Sequence, residues 1–334
     1  MKKHRNIPIF IPHLGCPNQC VFCNQHAISG CREFSKEDVK FQIDEALYTI
    51  EEGTQTEIAF FGGSFTGIDR HLMVELLELA QGYVRLGRVQ SIRLSTRPDY
   101  ISDEILELLS HYSVQTIELG LQSMEDSVLQ ASQRGHTAAV AQYACRAVVN
   151  AGFSLVGQMM IGLPNSTVAE EERTARCICE LGATAVRIYP TVVFYDTPLC
   201  QMAQNGEYVP LSLQEAVERS ARVLQIFRES KIPCIRLGLC ACENLASDKS
   251  VFGGPNHPAL GELVLNECYY LQLQKLISER NLIGKEIVLS VPKRELSQAV
   301  GQNKRNIRRL LEEHGTKICQ IIGNDSGLFT AWQR

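Results

Sequence analysis

Cys16, Cys20 and Cys23 stand within eight residues of one another, in the run Gly15-Cys16-Pro17-Asn18-Gln19-Cys20-Val21-Phe22-Cys23-Asn24. Cysteine thiolates are the ligands of iron–sulfur clusters, which normally take four. Three close cysteines with no fourth in that run leave one iron without a protein ligand, and an open metal position is where chemistry can happen. The same residues also admit a zinc knuckle completed by His13 or His26. Simplest of all, they are buried, inert thiols.

Such cysteines need a frame that holds them at a rim. They follow directly on an apolar run over 7–12 that reads as a strand. Further strands are expected over 57–61, 91–95, 114–119, 154–161, 185–189 and 234–237. Helical patterns lie between them over 36–51, 71–83, 103–111, 137–151, 168–181 and 213–230. Strand–helix alternation predicts an α/β fold with a parallel sheet and helices outside it. Six or more units favour a partial or full (β/α) barrel of the TIM type over a short doubly wound sheet. Active sites of such barrels lie at the C-terminal ends of the strands. The three cysteines fall there after the first strand, and Gly62-Gly63-Ser64 after the second. Two glycines at a strand end let a ligand approach the backbone. Polar residues from Glu118 to Ser123 close the fourth strand, and Gln133-Arg134-Gly135-His136 follows.

The chain has 334 residues, 45% hydrophobic and 21% charged, enough for one barrel-sized domain and a small appendage. The rhythm changes near residue 240. Domains are therefore expected at 1–240 (barrel), 241–284 (connecting loop and a helix over 260–278) and 285–334. A net charge of −4 excludes a chain that is basic throughout. The basic start, Met1-Lys2-Lys3-His4-Arg5, precedes an apolar run that is short and broken by Pro8 and Pro12, so no signal peptide is expected. No stretch reaches the roughly 18 apolar residues of a membrane span. Thirteen cysteines without such a signal point to reduced thiols and metal in the cytoplasm, not to disulfides. Cys240 and Cys242, near Cys234, and the pair Cys177 and Cys179 are read as ordinary thiols.

The cysteine spacing, with Phe22 before the last cysteine, resembles the signature of the radical S-adenosylmethionine (SAM) superfamily. The resemblance implies a 4Fe–4S cluster on Cys16, Cys20 and Cys23 whose open iron chelates SAM. It implies reductive cleavage of SAM to a 5′-deoxyadenosyl radical that abstracts hydrogen from a substrate. Residues 7 to about 263 are similar to the radical SAM domain of the Elongator catalytic subunit family. The similarity runs through Thr96-Arg97-Pro98-Asp99-Tyr100, Glu118 to Ser123, Arg134-Gly135-His136-Thr137 and Met159-Met160 with Leu163-Pro164-Asn165. It continues through Tyr189-Pro190-Thr191 and through His257 with Leu260, Glu262 and Leu263. The cofactor site so implied contains Phe22 and the backbone of Gly62, Gly63 and Ser64, which would hold the methionyl amino group. By similarity to oxygen-independent coproporphyrinogen oxidase, Gln122 and Arg134 would contact SAM, and Ser95 stands where that enzyme has an acidic ligand. The resemblance further implies tRNA as partner and an electron donor such as a flavodoxin or ferredoxin. The chain is read without the Elongator subunit's acetyltransferase domain, so that family's product is not carried over.

The last segment, 291–307, resembles the KH core of a bacterial transcription elongation factor. KH domains clamp single-stranded backbone with a G-x-x-G loop between two helices. Here Gly301 opens the loop and Lys304 replaces the second glycine. Around it a strand over 286–291, helices over 293–299 and 306–314 and a strand over 317–322 predict a small α+β, KH-like domain. Residues 285–334 hold nine Lys or Arg against five Asp or Glu, a net +4, while the remainder has 24 against 32, a net −8. A basic tail on an acidic body marks an anion-binding surface, with Gly301, Lys304, Arg305, Arg308 and Arg309 as the expected RNA contacts. The plainer reading is a helical lid whose Lys and Arg are solvated. Three functions follow in order: a radical SAM enzyme modifying RNA; one acting on a small molecule or protein, its tail a structural cap; and a zinc-containing RNA-binding module without catalysis.

Overall fold

The computed structural model describes residues 4–11, 14–16, 20–24, 34–51, 53–239 and 250–334. His13, His26, Cys240 and Cys242 lie outside the described residues. The chain forms two compact units, Met1–Ala216 with Ile226–Pro258, and Val217–Gln225 with Ala259–Arg334.

In the first unit, β1 (His4–Ile11), β2 (Gln55–Gly62), β3 (Ser91–Thr96), β4 (Val114–Gln122), β5 (Ser154–Ile161) and β6 (Ala185–Pro190) alternate with helices. The two-residue β7 (Val193–Phe194) precedes β8 (Cys234–Leu237). One sheet runs in the order β1-β2-β3-β4-β5-β6-β8, and every pairing in it is parallel. The sheet curls as a half-barrel with β1 and β8 as its edges, so of the two forms expected the partial barrel is the one adopted. The helices are α1 (Lys36–Thr49), α2 (Arg70–Arg85), α3 (Asp103–Ser110), α4 (Asp126–Ala131), α5 (Ala138–Asn150), α6 (Val168–Glu180), α7 (Pro198–Gln204) and α8 (Leu213–Glu229), the middle of which, Val217–Gln225, counts with the second unit.

Local chemistry explains where the helices start. Asp69, Ser102 and Thr137 accept hydrogen bonds from first-turn amides. Thr167 with Glu170, and Ser212 with Glu215, form capping boxes. Alternation within the strands sets the two faces of the sheet. Ile58, Phe60, Ile92, Leu94, Ile117 and Leu119 are fully buried. The intervening positions carry Glu57, Arg93 and Glu118, charged and also buried. Elements α4, α7, β7 and β9 (Val251–Gly253), which pairs with β7, were not expected. All are too short for a period to register.

The second unit is built from α9 (Leu260–Glu279), β10 (Glu286–Pro292), α10 (Leu296–Val300), α11 (Arg305–His314), β11 (Lys317–Asn324) and β12 (Thr330–Gln333). Strand β10 is central, parallel to β11 and antiparallel to β12, a strand not anticipated. Tyr270, Leu273, Ile277, Ile287, Leu289, Val291 and Leu310 form its core. The helix expected over 293–299 divides into a 3-10 turn, Lys293–Glu295, and α10. Among the described residues no helix is long and apolar enough to cross a membrane.

Candidate active site

The loops after β1 and β2 lie backbone against backbone. Gly63 N–H donates to the Ile11 carbonyl at 2.7 Å, and Ser64 N–H to the Leu14 carbonyl at 2.9 Å. A Cβ on Gly63 would stand 1.9 Å from the Leu14 oxygen, and one on Gly15 would stand 2.2 Å from the Ser64 oxygen. Glycine is thus required first by the entry to the cysteine loop, a reason the sequence reading did not supply. Ser64 points elsewhere: its buried hydroxyl pairs with Thr96 Oγ1 at 2.7 Å and accepts from Arg97 N–H at 3.2 Å.

A cavity of about 620 Å³ opens at the C-terminal ends of these strands. Its wall brings together Cys16, Cys20, Cys23, Phe22, Gly62, Gly63, Ser95, Gln122 and Arg134. Ser64, expected at the same site, does not line it. Arg97, Gln158 and Asp196 do line it, although none of them was expected at the site. Gln158 had a signal that could have been used, because a polar residue inside a buried parallel strand breaks the apolar run such strands carry.

Arg134 and Arg97, both nearly fully buried, converge on one sulfur. Arg134 Nη1 lies 3.1 Å from Cys20 Sγ and Nη2 donates to the Gly120 carbonyl at 2.6 Å. Arg97 Nη1 lies 3.9 Å from the same Sγ. Burial pushes the Cys16 thiol up, against the opposing pull of Arg97. Burial, and then the charge of Arg134, pushes the His136 imidazole down to about 4. Gln122 follows a β-bulge and holds a φ of 66°, strained for a side chain that can reach the cavity from there.

Among the described residues no group of three His, Cys, Asp or Glu side chains is gathered to hold a metal ion. The cysteines share a wall, and the sulfur of Cys20 turns to the arginines. Their donor chemistry nevertheless fits an iron–sulfur cluster: three soft sulfurs beside two fixed guanidiniums that offset thiolate charge. Among the described residues Gln122 Oε1 and Arg134 Nε are buried without a hydrogen-bond partner, and a polar molecule in the cavity would supply one. The residues therefore also fit a zwitterionic ligand such as SAM.

The polar face of the sheet continues this site as an ion-pair layer. Glu57 accepts from Arg93 Nε at 3.0 Å, Ser91 Oγ at 2.7 Å and sits 2.8 Å from His4 Nε2. Arg93 Nη1 donates to Glu118 Oε1 at 2.9 Å, as does Arg187 Nη2. Gln158 Nε2 bridges Glu118 Oε2 at 2.8 Å and Ser95 Oγ at 3.3 Å. Burial alone would raise the Glu57 carboxyl, but Arg93 and the surrounding donors outweigh it and hold the group below its ordinary value.

In the second unit, Gly301, Asn303 and Lys304 have φ of 76°, 52° and 60°. Asn306 Nδ2 pins this turn, donating to the carbonyls of Gln298 at 3.1 Å and Ala299 at 3.3 Å. Lys304, Arg305 and Arg308 are exposed. Arg309 is not: it pairs with Glu267 at 2.5 Å and Glu313 at 2.8 Å and lies 3.6 Å over the Tyr270 ring. Its guanidinium is engaged in the unit's own packing, which removes it from the set expected to meet RNA.

Residues 10–178 match the model of the Radical SAM superfamily, and residues 183–270 that of the Radical_SAM C-terminal domain. An uncharacterized protein of Methanocaldococcus jannaschii is 30% identical over 214 residues, 60% of this chain and 65% of that protein. The tRNA uridine(34) acetyltransferase of the same organism is 28% identical over 134 residues, 39% of this chain and 25% of that protein. The chain thus spans less than two thirds of the first relative and a quarter of the second. The structure of archaeal Elp3 from Methanocaldococcus infernus, with residues 1–46 deleted, superposes with a TM-score of 0.61 at 18% identity, covering 86% of this chain and 66% of that one. With half of its length matching the first of these models, the chain belongs to the Radical SAM superfamily, enzymes that use a 4Fe–4S cluster and SAM.

Proposed function

We propose that this radical SAM enzyme modifies RNA, with tRNA as its substrate class. In this reading Cys16, Cys20 and Cys23 hold the cluster, and the adjoining cavity holds SAM. The observation that carries the reading is the single cavity shared by the three cysteines with Gly62, Gly63, Ser95, Gln122 and Arg134. When bound, the cluster supplies the electron that cleaves SAM to a 5′-deoxyadenosyl radical, which abstracts hydrogen from the substrate. The chain's own residues bind, orient and shield. Arg134 Nε offers a donor to the methionyl carboxylate, and Gln122 Oε1 an acceptor to an amino or hydroxyl group. Ser95 and Gln158 suit ribose hydroxyls. Phe22 packs against Val21, Val193 and Leu199 and keeps water from that wall.

RNA is favoured by the partial match to an enzyme named for tRNA uridine 34 and by the exposed Lys304, Arg305 and Arg308 beside Gly301. The KH-like segment would grip the RNA backbone there, and the barrel would carry the chemistry. A flavodoxin or ferredoxin would donate the electron, in the cytoplasm, where thiols stay reduced. Two measurements test the reading. Anaerobically reconstituted protein given SAM and dithionite is expected to release 5′-deoxyadenosine, and the Cys16→Ala, Cys20→Ala and Cys23→Ala variants are not; no release from the wild type sinks the assigned site. Mass spectrometry of tRNA nucleosides from cells with and without the gene is expected to reveal one modified nucleoside that depends on it. Identical nucleoside profiles would remove tRNA as the substrate.

A further inference from the structure

We propose that Arg97, clamped by Asp99, is a positioning residue that sets the reduction potential of the cluster through the sulfur of Cys20. The proposal rests on the reading that Cys16, Cys20 and Cys23 hold that cluster. Every donor of Arg97 on this side is committed. Its Nε and Nη2 grip Asp99 Oδ1 and Oδ2 at 2.9 and 2.8 Å, a bidentate pair. Nη2 also donates to the Arg134 carbonyl. What remains is Nη1, 3.9 Å from Cys20 Sγ. The side chain is 4% exposed, so its charge is fixed and poorly screened by solvent.

Hydrogen bonds and positive charge at a ligand sulfur stabilise the reduced, more negative form of a cluster. Arg134 makes the shorter contact with the sulfur, but it also faces the proposed SAM pocket. Arg97 lines the same cavity, but its side-chain donors are directed to Asp99, the Arg134 main chain and Cys20 Sγ. Asp99 therefore has two opposed effects. It fixes the guanidinium beside the sulfur, and its own charge weakens the field that the guanidinium exerts. Asp99→Asn keeps an oxygen that can hold the guanidinium and removes only the opposing charge, so the two variants are expected to shift the potential in opposite directions, which a purely structural clamp would not give.

The test is a mediated dithionite titration of the reconstituted holoenzyme, in which each cluster gains one electron, [4Fe–4S]²⁺ to [4Fe–4S]⁺, followed by electron paramagnetic resonance. Iron and sulfide content are measured alongside. Arg97→Gln is expected to lower the reduced-to-oxidised ratio at fixed solution potential about tenfold, a shift of 59 mV for one electron. Asp99→Asn is expected to shift it the other way. If both variants titrate with the wild type, or both move in the same direction, the tuning role is wrong. If Arg97→Gln takes up no cluster, Asp99→Asn decides alone: an upward shift supports the proposal and none overturns it. A wild-type protein that takes up no iron and sulfide would instead overturn the cysteine assignment itself.

Discussion

Glu118 is the keystone of the ion-pair layer, and Glu118→Gln tests whether that layer holds the half-barrel together. The side chain is fully buried. It accepts from Arg93 Nη1 at 2.9 Å, Arg187 Nη2 at 2.9 Å and Gln158 Nε2 at 2.8 Å. Arg187 Nε also approaches it at 2.7 Å, as a charge contact and not an aligned hydrogen bond. Glu57 and Glu118 balance Arg93 and Arg187, so the substitution keeps the shape and leaves one buried positive charge uncompensated. Breaking a buried pair in this way costs about 3–5 kcal/mol. A single contact at 4 Å with an effective dielectric of 20 gives about 4 kcal/mol, the same order. Against a total stability of about 5–15 kcal/mol, the apo protein is expected to melt about 10 °C lower. The assay is thermal and urea unfolding under reducing, anaerobic conditions, with SAM affinity measured on the folded variant because Gln158 loses its anchor. Adding Arg187→Met restores neutrality, so the double variant is expected to be more stable than the sum of the single losses by about 1–3 kcal/mol. A loss below about 1 kcal/mol in Glu118→Gln, or strict additivity in the double variant, would refute the argument.

Three further outcomes are expected. Gly63→Ala drives a Cβ toward the Leu14 oxygen; the cysteine loop must move, so iron uptake after reconstitution is expected to fall several-fold while far-ultraviolet dichroism shows the fold retained, with about 1–3 kcal/mol of strain. His136 titrates near 6.5 when unfolded and about 4 when folded, so the unfolded chain binds more protons between these values; its penalty is absent above pH 6.5, grows as pH falls and reaches about 3 kcal/mol below pH 4. Urea unfolding between pH 4.5 and 6.5, above the range where protonation of Glu57 costs stability, is expected to flatten in His136→Gln. Lys304→Gly removes a left-handed lysine, with φ of 60°. It is expected to stabilise the protein by about 1 kcal/mol while weakening tRNA binding and lowering its salt dependence by about one phosphate contact; tighter binding would contradict the proposed role of this loop.

The strands and the longer helices were legible because their causes are local: apolar runs bounded by turns, with helical patterns between them. The three cysteines stood out because soft ligands gathered at short spacing are an uncommon pattern. Arg134 was named for a different contact, and the convergence of Arg134 and Arg97 on Cys20 was not legible, because Arg134 stands 114 residues from that sulfur and Arg97 stands 77 residues from it. Only the curl of the sheet closes those separations. Likewise Arg309 and Glu313 form a visible i,i+4 pair, yet the partner that draws Arg309 inward is Glu267, 42 residues away.

Gly62-Gly63 exposes a different limit. The residues were read as a point where a ligand approaches the backbone, but sequence alone does not say that another part of the chain comes close there too. In the fold the first answer is the chain itself, through Ile11 and Leu14. That answer has a mechanistic consequence. Because Gly63 and Ser64 donate to the strand end and loop that lead into Cys16, the β2 loop and the cysteine loop form one hydrogen-bonded piece. Any ligand seated on Gly62 and Gly63 is then referenced to the cysteines through backbone contacts, which are far stiffer than side chains. A cavity whose two halves are tied in this way can hold a cluster and its co-substrate in register without a dedicated side chain between them, which agrees with Ser64 being spent on Thr96 and Arg97 and not on the cavity.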